Sequence, residues 1–460
     1  MNITKSIETL FKRFLPSPFT IAILLTLITM LLAFFFTPSR SEGNHLLEIF
    51  SYWESGIWNN DLLVFAYQMM LILVLGHVLV LSKPMNHLIM KLVSYASNTE
   101  NAVMLVSFST MLVSFFNWGL GLIFGAIMAR KVAENAQQNG YALNYPLVGA
   151  AGYVGLMIWH GGISGSAPSK VAEEGHIKSF LGDVLPADVL TTLPDAISSS
   201  ETIFSWWNLL IFAILLVIIP VFLRLLAKRS DPTEINLPKY MFQATKGQAQ
   251  GAEKLDASKV LAIGVGSLLL ITFFYQYWAK ISDFEQLKLT PNMLNFLMLG
   301  LGVLLHGSFK SFLNAVEEAI KGTSGILIQF PLYFGIMGIM KSTGMVTSIS
   351  DFFVSVATET TLPIFTFFSA GLVNIFVPSG GGQWAVQGPI VIESAVRLGV
   401  PLPKAIMALA YGDQVTNMLQ PFWALPLLGI TKLKAKEILP YTLLLMLLGS
   451  TIYILGLLLL

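Results

Sequence analysis

Asp413 is the acidic residue that the hydropathy pattern places deep within an apolar segment, at 404–430. An ionisable side chain at the centre of a membrane span costs about 2.5–3.5 kcal/mol on insertion scales, so such residues are functional candidates by default. A carboxylate there could bind Na⁺ or carry a proton. The structural alternative is a carboxylate whose hydrogen bonds are all satisfied by unwound backbone around it.

His160 lies at the edge of a polar interruption in another apolar segment. Two interpretations have equal weight: a helix-end histidine bonded to a freed carbonyl, or a side chain that contacts a ligand or titrates. His77 and His306 lie in apolar segments without a neighbouring motif, so packing is the simpler interpretation for both. Glu393 is expected to be solvated.

Four interruptions of apolar segments each contain glycine and supply Ser, Thr, Asn or Gln side chains. Proline and glycine disfavour a continuing helix, and we expect the triple glycine 380–382 to lie outside helices. Irregular backbone survives in a membrane only where it is buried in protein or lines a wet cavity. Helix N-termini exposed there suit a carboxylate, and freed carbonyl and hydroxyl oxygens suit Na⁺. The four interruptions are 114–119, 160–168, 377–382 and 412–421.

We therefore predict a single site built from all four interruptions. No lysine or arginine lies at any of them, which favours a monoanion, because dicarboxylates and phosphates usually recruit arginine. Trp118, Trp159 and Trp384 could line an apolar pocket or anchor the interface. The predicted substrate-binding residues are Asn117, Trp118, Gly119, His160, Gly161, Gly162, Ser164, Ser166, Ser379, Gly380, Gly381, Gly382, Gln383, Thr416 and Asn417. The predicted ion-coupling residues are Asp413, Asn117, Ser164, Ser379 and Thr416, with Asp413 as the candidate Na⁺ ligand and no other cofactor.

The composition indicates an all-α polytopic membrane protein, surrounded by lipid. The 460 residues are 55% hydrophobic and 12% charged, against roughly 25% charged in soluble domains. A net charge of +1 gives no reason to expect nucleic acid. The absence of cysteine excludes thiolate metal sites and a cysteine nucleophile. The triple glycine is not followed by Gly-Lys-Ser/Thr, so an ATP-driven pump is excluded, and we expect no enzyme.

Nine apolar runs are long enough to cross a bilayer, and two further runs are long and interrupted. We interpret the two, 102–133 and 362–396, as re-entrant hairpins that begin and end on the same side. Most of the 27 lysine and arginine residues then fall on one side, which the positive-inside rule identifies as cytoplasmic. The N-terminus is cytoplasmic and the C-terminus periplasmic in this topology. The nine spans are 19–37, 61–82, 145–165, 203–226, 258–279, 292–309, 324–345, 404–430 and 438–460.

The order of these segments predicts an inverted repeat, which is typical of secondary transporters. The first repeat, 1–226, contains an inner hairpin at 102–133 and a broken helix at 145–168. The second, 292–460, contains an outer hairpin at 362–396 and a broken helix at 404–430. The segment 227–291 forms a cytoplasmic connection and one linking transmembrane helix that inverts the second repeat.

Two other functions remain open. A Na⁺/H⁺ antiporter would use Asp413 as its proton carrier and need no organic substrate. An intramembrane serine protease is suggested by Gly162-Ile163-Ser164-Gly165, which has the Gly-x-Ser-Gly pattern of the rhomboid type. Its serine would need a base within hydrogen-bond reach, either His306 or His77, and the inverted repeat would go unexplained.

Three motifs carry a resemblance to the AtoE family of short-chain fatty acid transporters, over nearly the whole chain. They are the run 377–389 (Val-Pro-Ser-Gly-Gly-Gly-Gln-Trp-Ala-Val-Gln-Gly-Pro), Tyr411-Gly412-Asp413-Gln414, and Trp159-His160-Gly161-Gly162. The resemblance implies uptake of short monocarboxylates such as acetoacetate or butyrate across a bacterial inner membrane.

That family is similar to a wider ion transporter superfamily, which implies scaffold and transport domains, an elevator-like motion and a homodimer. In the superfamily's sodium–dicarboxylate members, Ser-Asn-Thr motifs at the hairpin tips hold carboxylates and frame Na⁺ sites. This chain carries fragments of that motif at Asn117, Ser379 and Thr416-Asn417, and the full triplet is absent from both tips.

Overall fold

The structure is a computed structural model that describes residues 16–39, 43–181, 190–191, 193–235, 237, 251–282 and 291–460. The described residues form helices and connecting segments without a β-strand. The helices are α1 Pro18–Phe36, α2 His45–Ile57, α3 Asn60–Leu81, α4 Lys83–Val93, α5 Thr99–Phe116, α6 Trp118–Asn139, α7 Tyr145–Ala151, α8 Ser166–Val171, α9 His176–Leu181, α10 Trp206–Ala227, α11 Glu253–Asp256, α12 Lys259–Ser282, α13 Pro291–His306, α14 Phe309–Ala319, α15 Ser324–Ser342, α16 Met345–Ser355, α17 Leu362–Phe376, α18 Gly380–Leu398, α19 Leu402–Thr416, α20 Pro421–Thr431 and α21 Ala435–Leu459.

Seven helical segments are long and apolar enough to cross a membrane. Further apolar helices in the described chain are shorter, and they include α13, α17 and α20. The all-α polytopic membrane class predicted from composition is therefore confirmed. The inverted repeat and the re-entry of the hairpins stay predictions. The seven segments are Pro18–Phe36, Leu62–Leu81, Thr99–Phe116, Tyr145–Val171, Trp206–Ala227, Lys259–Trp278 and Ala435–Leu459.

The first helix pair, α5 and α6, corresponds to the predicted inner hairpin and is called the inner pair, with its tip at Asn117. The chain reverses at that single residue. Asn117 has an extended backbone (φ −154°, ψ 126°) and serves as the C-cap of α5 and the N-cap of α6. Its side-chain oxygen accepts a hydrogen bond from the N–H of Leu120 at 3.0 Å. The interruption predicted over 114–119 is therefore too wide, because a capping asparagine satisfies the new helix end without a loop.

The second pair, α17 and α18, corresponds to the predicted outer hairpin and is called the outer pair, with residues 377–382 as the outer tip. Its chain reverses over three residues, 377–379. Ser379 is the N-cap of α18, and its hydroxyl oxygen accepts from the N–H of Gly382 at 3.1 Å. The prediction that Gly380, Gly381 and Gly382 lie outside helices is wrong, since they form the first turn of α18. The first N–H groups of a helix have no intrahelical partner, so capping offsets part of the cost of glycine there.

The first broken helix unwinds earlier than predicted. Regular α-helix ends at Ala151, and two 3₁₀ turns, Val154–Met157 and Trp159–Gly161, precede α8. Gly152 and Gly125 make a close backbone contact: a Cβ atom on Gly152 would lie 2.4 Å from the Gly125 carbonyl oxygen. The α-helix α7 ends at this contact between two distant segments, which the local hydropathy pattern could not predict.

The second broken helix unwinds later than predicted. Residues 412–415 are helical within α19, and the irregular part is the 3₁₀ turn Asn417–Leu419 with Gln420. Gly412 stays helical while its Cα face packs against α17, where a Cβ atom would lie 2.0 Å from the Phe367 carbonyl oxygen. Pro421 stands in the first turn of α20, the position in a helix that tolerates proline best.

Two apolar cores lie in the described chain. The larger one joins α3, α5, α6, the first broken helix and α20. The smaller one joins α8, α9, α18 and the start of α19 around Trp384. The inner pair α5–α6 therefore packs into the main core, and much of α18 packs into the smaller one.

Candidate functional site

His160 and Asp413 form a buried pair that joins the two broken helices. His160 Nδ1 contacts Asp413 Oδ2, and the side chains are 0% and 1% exposed. The backbone N–H of Ala167 donates to His160 Nε2 at 3.0 Å. A ring nitrogen that accepts carries no proton, so the proton of the neutral imidazole lies on Nδ1 and is donated to the carboxylate. The pair thus has one defined tautomer.

Gln414 holds the turn that carries His160. Its Oε1 accepts from the backbone N–H groups of His160 at 2.8 Å and Gly161 at 3.0 Å. Its Nε2 donates to the hydroxyl oxygen of Tyr453 at 2.9 Å, and that hydroxyl donates to the Met157 carbonyl at 2.8 Å. One side chain next to Asp413 therefore satisfies two backbone donors that unwinding had freed.

Asn208, on α10, is a second side chain that holds the turn carrying His160. Its Nδ2 donates to the Gly161 carbonyl at 2.9 Å, and its Oδ1 accepts from the hydroxyl of Tyr411 at 2.7 Å. Sequence reasoning missed Asn208, although an asparagine in the apolar stretch of α10 was a usable signal. It also missed Tyr411, Gln414 and Tyr453 as positioning residues, because their partners are far away in the chain.

The tip of the outer pair covers the His–Asp pair. A Cβ atom built on Gly380 would lie 2.7 Å from Trp159 Cη2 and 2.9 Å from His160 Cε1. A Cβ atom on Gly381 would lie 3.9 Å from Ser166 Oγ. The predicted residues Gly380, Gly381, His160 and Ser166 therefore come together, and glycine at 380 is required by contact.

The tip of the inner pair is bonded to the first broken helix. The N–H of Ile163 donates to the Phe115 carbonyl at 2.8 Å, and the N–H of Trp118 donates to Ser164 Oγ at 3.0 Å. A Cβ atom on Gly162 would lie 2.4 Å from that same Phe115 carbonyl oxygen. Ser164 is thus a hydrogen-bond acceptor that fixes the inner tip.

Three tryptophans form an apolar wall beside the pair. The Trp118 ring lies 5.9 Å from Trp159 and 5.0 Å from Trp423, between centroids. Trp384 does not join them, because it is buried in the smaller core and donates to His176 Nε2 at 3.2 Å. The expectation that Trp384 lines the same pocket is therefore wrong, and Trp423 takes that place.

Asn374 on α17 ties the outer pair to the second break. Its Nδ2 lies 2.7 Å from the Asp413 carbonyl oxygen, 3.0 Å from Thr416 Oγ1 and 2.7 Å from Asn417 Oδ1. Gln420 Nε2 donates to the Asn374 carbonyl. Among the described groups, Asn374 Oδ1 and Gln420 Oε1 are buried oxygens without a hydrogen-bond partner. Such oxygens are the ligand type that a hard cation takes.

The remaining predicted residues serve the tips themselves. Asn117 and Ser379 cap helices, and a Cβ atom on Gly119 would make ordinary contact with Ile72 at 3.4 Å. Gln383 is fully buried within the outer pair, where its Nε2 donates to the Ala370 carbonyl at 2.9 Å. Gln383 Oε1 has no partner among the described groups.

A cavity of about 380 Å³ opens beside the outer tip. It is lined by Gly382 and Gln383 from α18, by Asn59, and by the exposed Lys341 at the end of α15. The sequence showed no lysine or arginine at any interruption. The fold brings Lys341 into the same cavity as Gly382, 41 positions away, and so places a cation at the outer tip.

The protease interpretation finds no support in these contacts. Ser164 Oγ accepts from Trp118, and this is its hydrogen bond within the described chain. His306 contacts the Val78 carbonyl at 2.8 Å and Ser311 Oγ at 3.2 Å. A nucleophilic serine needs a base in contact, and His306 is engaged elsewhere.

Helices long enough to span a bilayer, together with broken helices that meet at a buried polar site, define the class: a multi-pass membrane protein. A family model described as short chain fatty acid transporter matches residues 1–460. The chain is 36% identical over 463 residues to an Escherichia coli K12 protein that bears the provisional name of short-chain fatty acid transporter, with 99% of each covered. A Haemophilus influenzae protein with the same provisional name is 34% identical over 464 residues, again with 99% of each covered.

The chain therefore belongs to the short-chain fatty acid transporter family, and the resemblance noted in its motifs is confirmed. Its relatives are named as transporters, which are not enzymes, so the expectation of no enzymatic activity is confirmed as well.

Two solved transporter structures are also similar. The Alcanivorax borkumensis YdaH transporter has a TM-score of 0.45 at 14% identity and covers 96% of this chain and 98% of its own. Neisseria gonorrhoeae MtrF has a TM-score of 0.44 at 15% identity and covers 99% and 97%. Similarities of this size carry no argument about the site.

Proposed function

We propose that this protein transports short-chain monocarboxylates of the acetoacetate or butyrate type across a bacterial inner membrane, in symport with a cation. The observation that carries the proposal is the buried His160–Asp413 pair directly beneath Gly380 at the outer tip. Family membership supports a small carboxylate as the substrate.

The outer tip has the chemistry to receive a carboxylate. The first N–H groups of α18, at Gly380 and Gly381, precede its intrahelical hydrogen bonds and lie at the positive end of the helix dipole. Lys341 adds a cation to the cavity lined by Gly382, which follows them in the same helical turn. The Trp118–Trp159–Trp423 wall would then take the acyl chain, with Trp118 and Trp159 nearest the His–Asp pair.

A proton is the coupling cation that the His–Asp pair favours. With a neutral imidazole and an ionised carboxylate, the pair carries one negative charge away from water, which is costly. Proton uptake on Asp413 removes that charge. Nε2 of His160 is occupied by the Ala167 N–H, so protonation of the histidine would break a hydrogen bond. The carboxylate is the acceptor that needs no such rearrangement.

Na⁺ coupling is the second candidate, and one specific observation favours it. Asn374 Oδ1 and Gln420 Oε1 are buried and unpaired beside the second break, close to the carbonyl end of α19. Thr416 and Asn417 contact the same Asn374 side chain. These residues, rather than Asp413 alone, would hold the ion.

Radiolabelled butyrate uptake into proteoliposomes tests the proposal. We expect butyrate uptake when the proton gradient is directed into the liposomes. This uptake should exceed the diffusion of protonated acid into protein-free liposomes, and acetoacetate should compete with it. Asp413→Asn should reduce gradient-driven uptake at least a hundredfold, because the amide cannot exchange the proton. Glu393→Gln is the matched control, since Glu393 is a partly buried carboxylate on α18 away from the pair.

Each other outcome has a defined meaning. Uptake driven by a Na⁺ gradient alone, retained in Asp413→Asn and lost in Asn374→Leu, would replace the proton with Na⁺. Coupled uptake at the wild-type rate in Asp413→Asn would overturn the role of the pair. Proton release on Na⁺ addition without any carboxylate would favour the Na⁺/H⁺ antiporter instead.

The transport cycle follows from the same arrangement. We propose that the two helix pairs and the two broken helices move together against the remaining spans, in an elevator-like motion between sides. The unbroken spans would form the scaffold and a homodimer contact, with the N-terminus cytoplasmic and the C-terminus periplasmic. Cross-linking of single cysteines introduced on both parts, in opposite gradients, measures this motion.

A further inference from the structure

A basic cavity of about 550 Å³ shares no lining residue with the His–Asp pair or with the cavity at the outer tip. Its wall is formed by the starts of α1, α15 and α21 and by the end of α20. Four lysines line it together with apolar side chains that include Leu425 and Leu428. The lysines are Lys321, Lys432, Lys434 and Lys436.

The positive charge of this cavity exceeds the negative charge beside it. Lys321 pairs with Glu318 at 2.5 Å. Lys432, Lys434 and Lys436 form no ion pair with a carboxylate in the described part of the chain. Partial burial lowers the pKa of Lys432, and nearby Arg130 lowers it further, while Glu318 partly opposes them. An anion in the cavity would relieve this repulsion.

The backbone at Lys432 is an independent sign of function. Lys432 ends α20 in the left-handed conformation, with φ 61° and ψ 14°. It is the one non-glycine residue with positive φ in the described ranges. This helix-end position normally takes glycine, because a side chain there is strained. Strain retained at a residue whose side chain faces a cavity indicates that the side chain is needed there.

We propose that this cavity binds the phosphate of an anionic membrane lipid. The lysines provide the charge complement of a phosphodiester headgroup, and Leu425 and Leu428 provide an apolar surface for the first part of an acyl chain. The cavity adjoins α1, a candidate membrane span whose apolar surface is mostly not buried in the protein. Basic pockets at the ends of spanning helices recognise headgroups in this way. The proposal does not depend on which solute is transported.

Native mass spectrometry of the full-length protein in detergent, titrated with phosphatidylglycerol, tests this site. Each lysine should contribute about fivefold in affinity. Lys432→Gly should therefore weaken phosphatidylglycerol binding about fivefold, without loss of thermal stability, because glycine relieves the backbone strain. Lys432→Gly combined with Lys434→Gln and Lys436→Gln should weaken it more than fiftyfold.

The control removes the same charge elsewhere. Lys228→Gln, Lys254→Gln and Lys259→Gln together should leave phosphatidylglycerol binding within twofold of wild type, and equal loss in both triple variants would overturn the site. Phosphatidylcholine should bind at least tenfold more weakly than phosphatidylglycerol. A final titration uses inorganic phosphate in place of lipid. If phosphate stabilises the wild type through these lysines while phosphatidylglycerol does not bind, the ligand is free phosphate and the lipid proposal is wrong.

Discussion

The two hairpin-like helix pairs reach the same site but are held in different ways. The inner tip is bonded to the first broken helix through Ile163 and Ser164, and its helices pack into the main core. In the described structure, the outer-tip residues 377–382 make their hydrogen bonds within their own helix pair. They touch the first broken helix by van der Waals contact at Gly380, and Gly381 is exposed.

This difference indicates which tip moves more easily. Separating the inner tip from the broken helix breaks two hydrogen bonds and leaves buried partners unpaired, at about 1–3 kcal/mol for each group. Separating the outer tip loses glycine contacts against two aromatic rings. We infer that the outer tip separates from the first broken helix at lower cost than the inner tip does, while Asn374 keeps α17 bonded to the second break. The glycines of the outer tip allow close contact with His160.

Within the comparison of the two tips, the largest expected difference is between an added methyl group at Gly380 and one at Gly119. Gly380→Ala brings a Cβ atom to 2.7 Å from Trp159 and 2.9 Å from His160. The outer tip can then no longer pack against the first broken helix. Butyrate uptake should fall at least tenfold with the thermal transition retained. Gly119→Ala, whose Cβ atom has its nearest contacts at 3.4 Å, should keep uptake within twofold. Equal effects at both glycines would break the comparison.

A serine-to-alanine pair compares the bonds that hold each tip. Ser164→Ala leaves the Trp118 N–H without its acceptor and should destabilise the protein by about 1–3 kcal/mol. Ser379→Ala removes an N-cap and should cost about 1 kcal/mol. Thermal unfolding in one detergent measures both. A larger loss for Ser379→Ala would show that the outer tip is the more firmly held one.

The smallest expected effect concerns Lys341, the cation beside the outer tip. Lys341→Met removes a charge that attracts a carboxylate through a solvated cavity and should raise the KM for butyrate about threefold to fivefold, with kcat nearly unchanged. Added salt should reduce the difference. Lys404→Met is the control, because Lys404 lies at the start of α19 outside that cavity. An unchanged KM would exclude Lys341 from substrate capture.

Local sequence features predicted much of the candidate site. Asp413 stood out because a carboxylate in an apolar segment is costly wherever it lies. The interruptions were found because glycine, proline and polar residues cluster in them. Their boundaries were wrong in two places. Regular helix ends at Ala151, before the predicted interruption, where Gly152 meets the backbone of Gly125. Helix continues to Thr416, inside the other predicted interruption, where Gly412 packs against the backbone of Phe367.

Composition and hydropathy by themselves predicted an all-α membrane protein with a carboxylate deep in an apolar segment and four interruptions, because apolar runs and the polar residues within them can be read from each segment alone. The motif runs determined its family. Only the tertiary structure decided that His160 pairs with Asp413, 253 positions away, and that Lys341 faces the outer tip. Hydrogen bonds and charge contacts depend on distance in space, and no local pattern encodes which segments pack together.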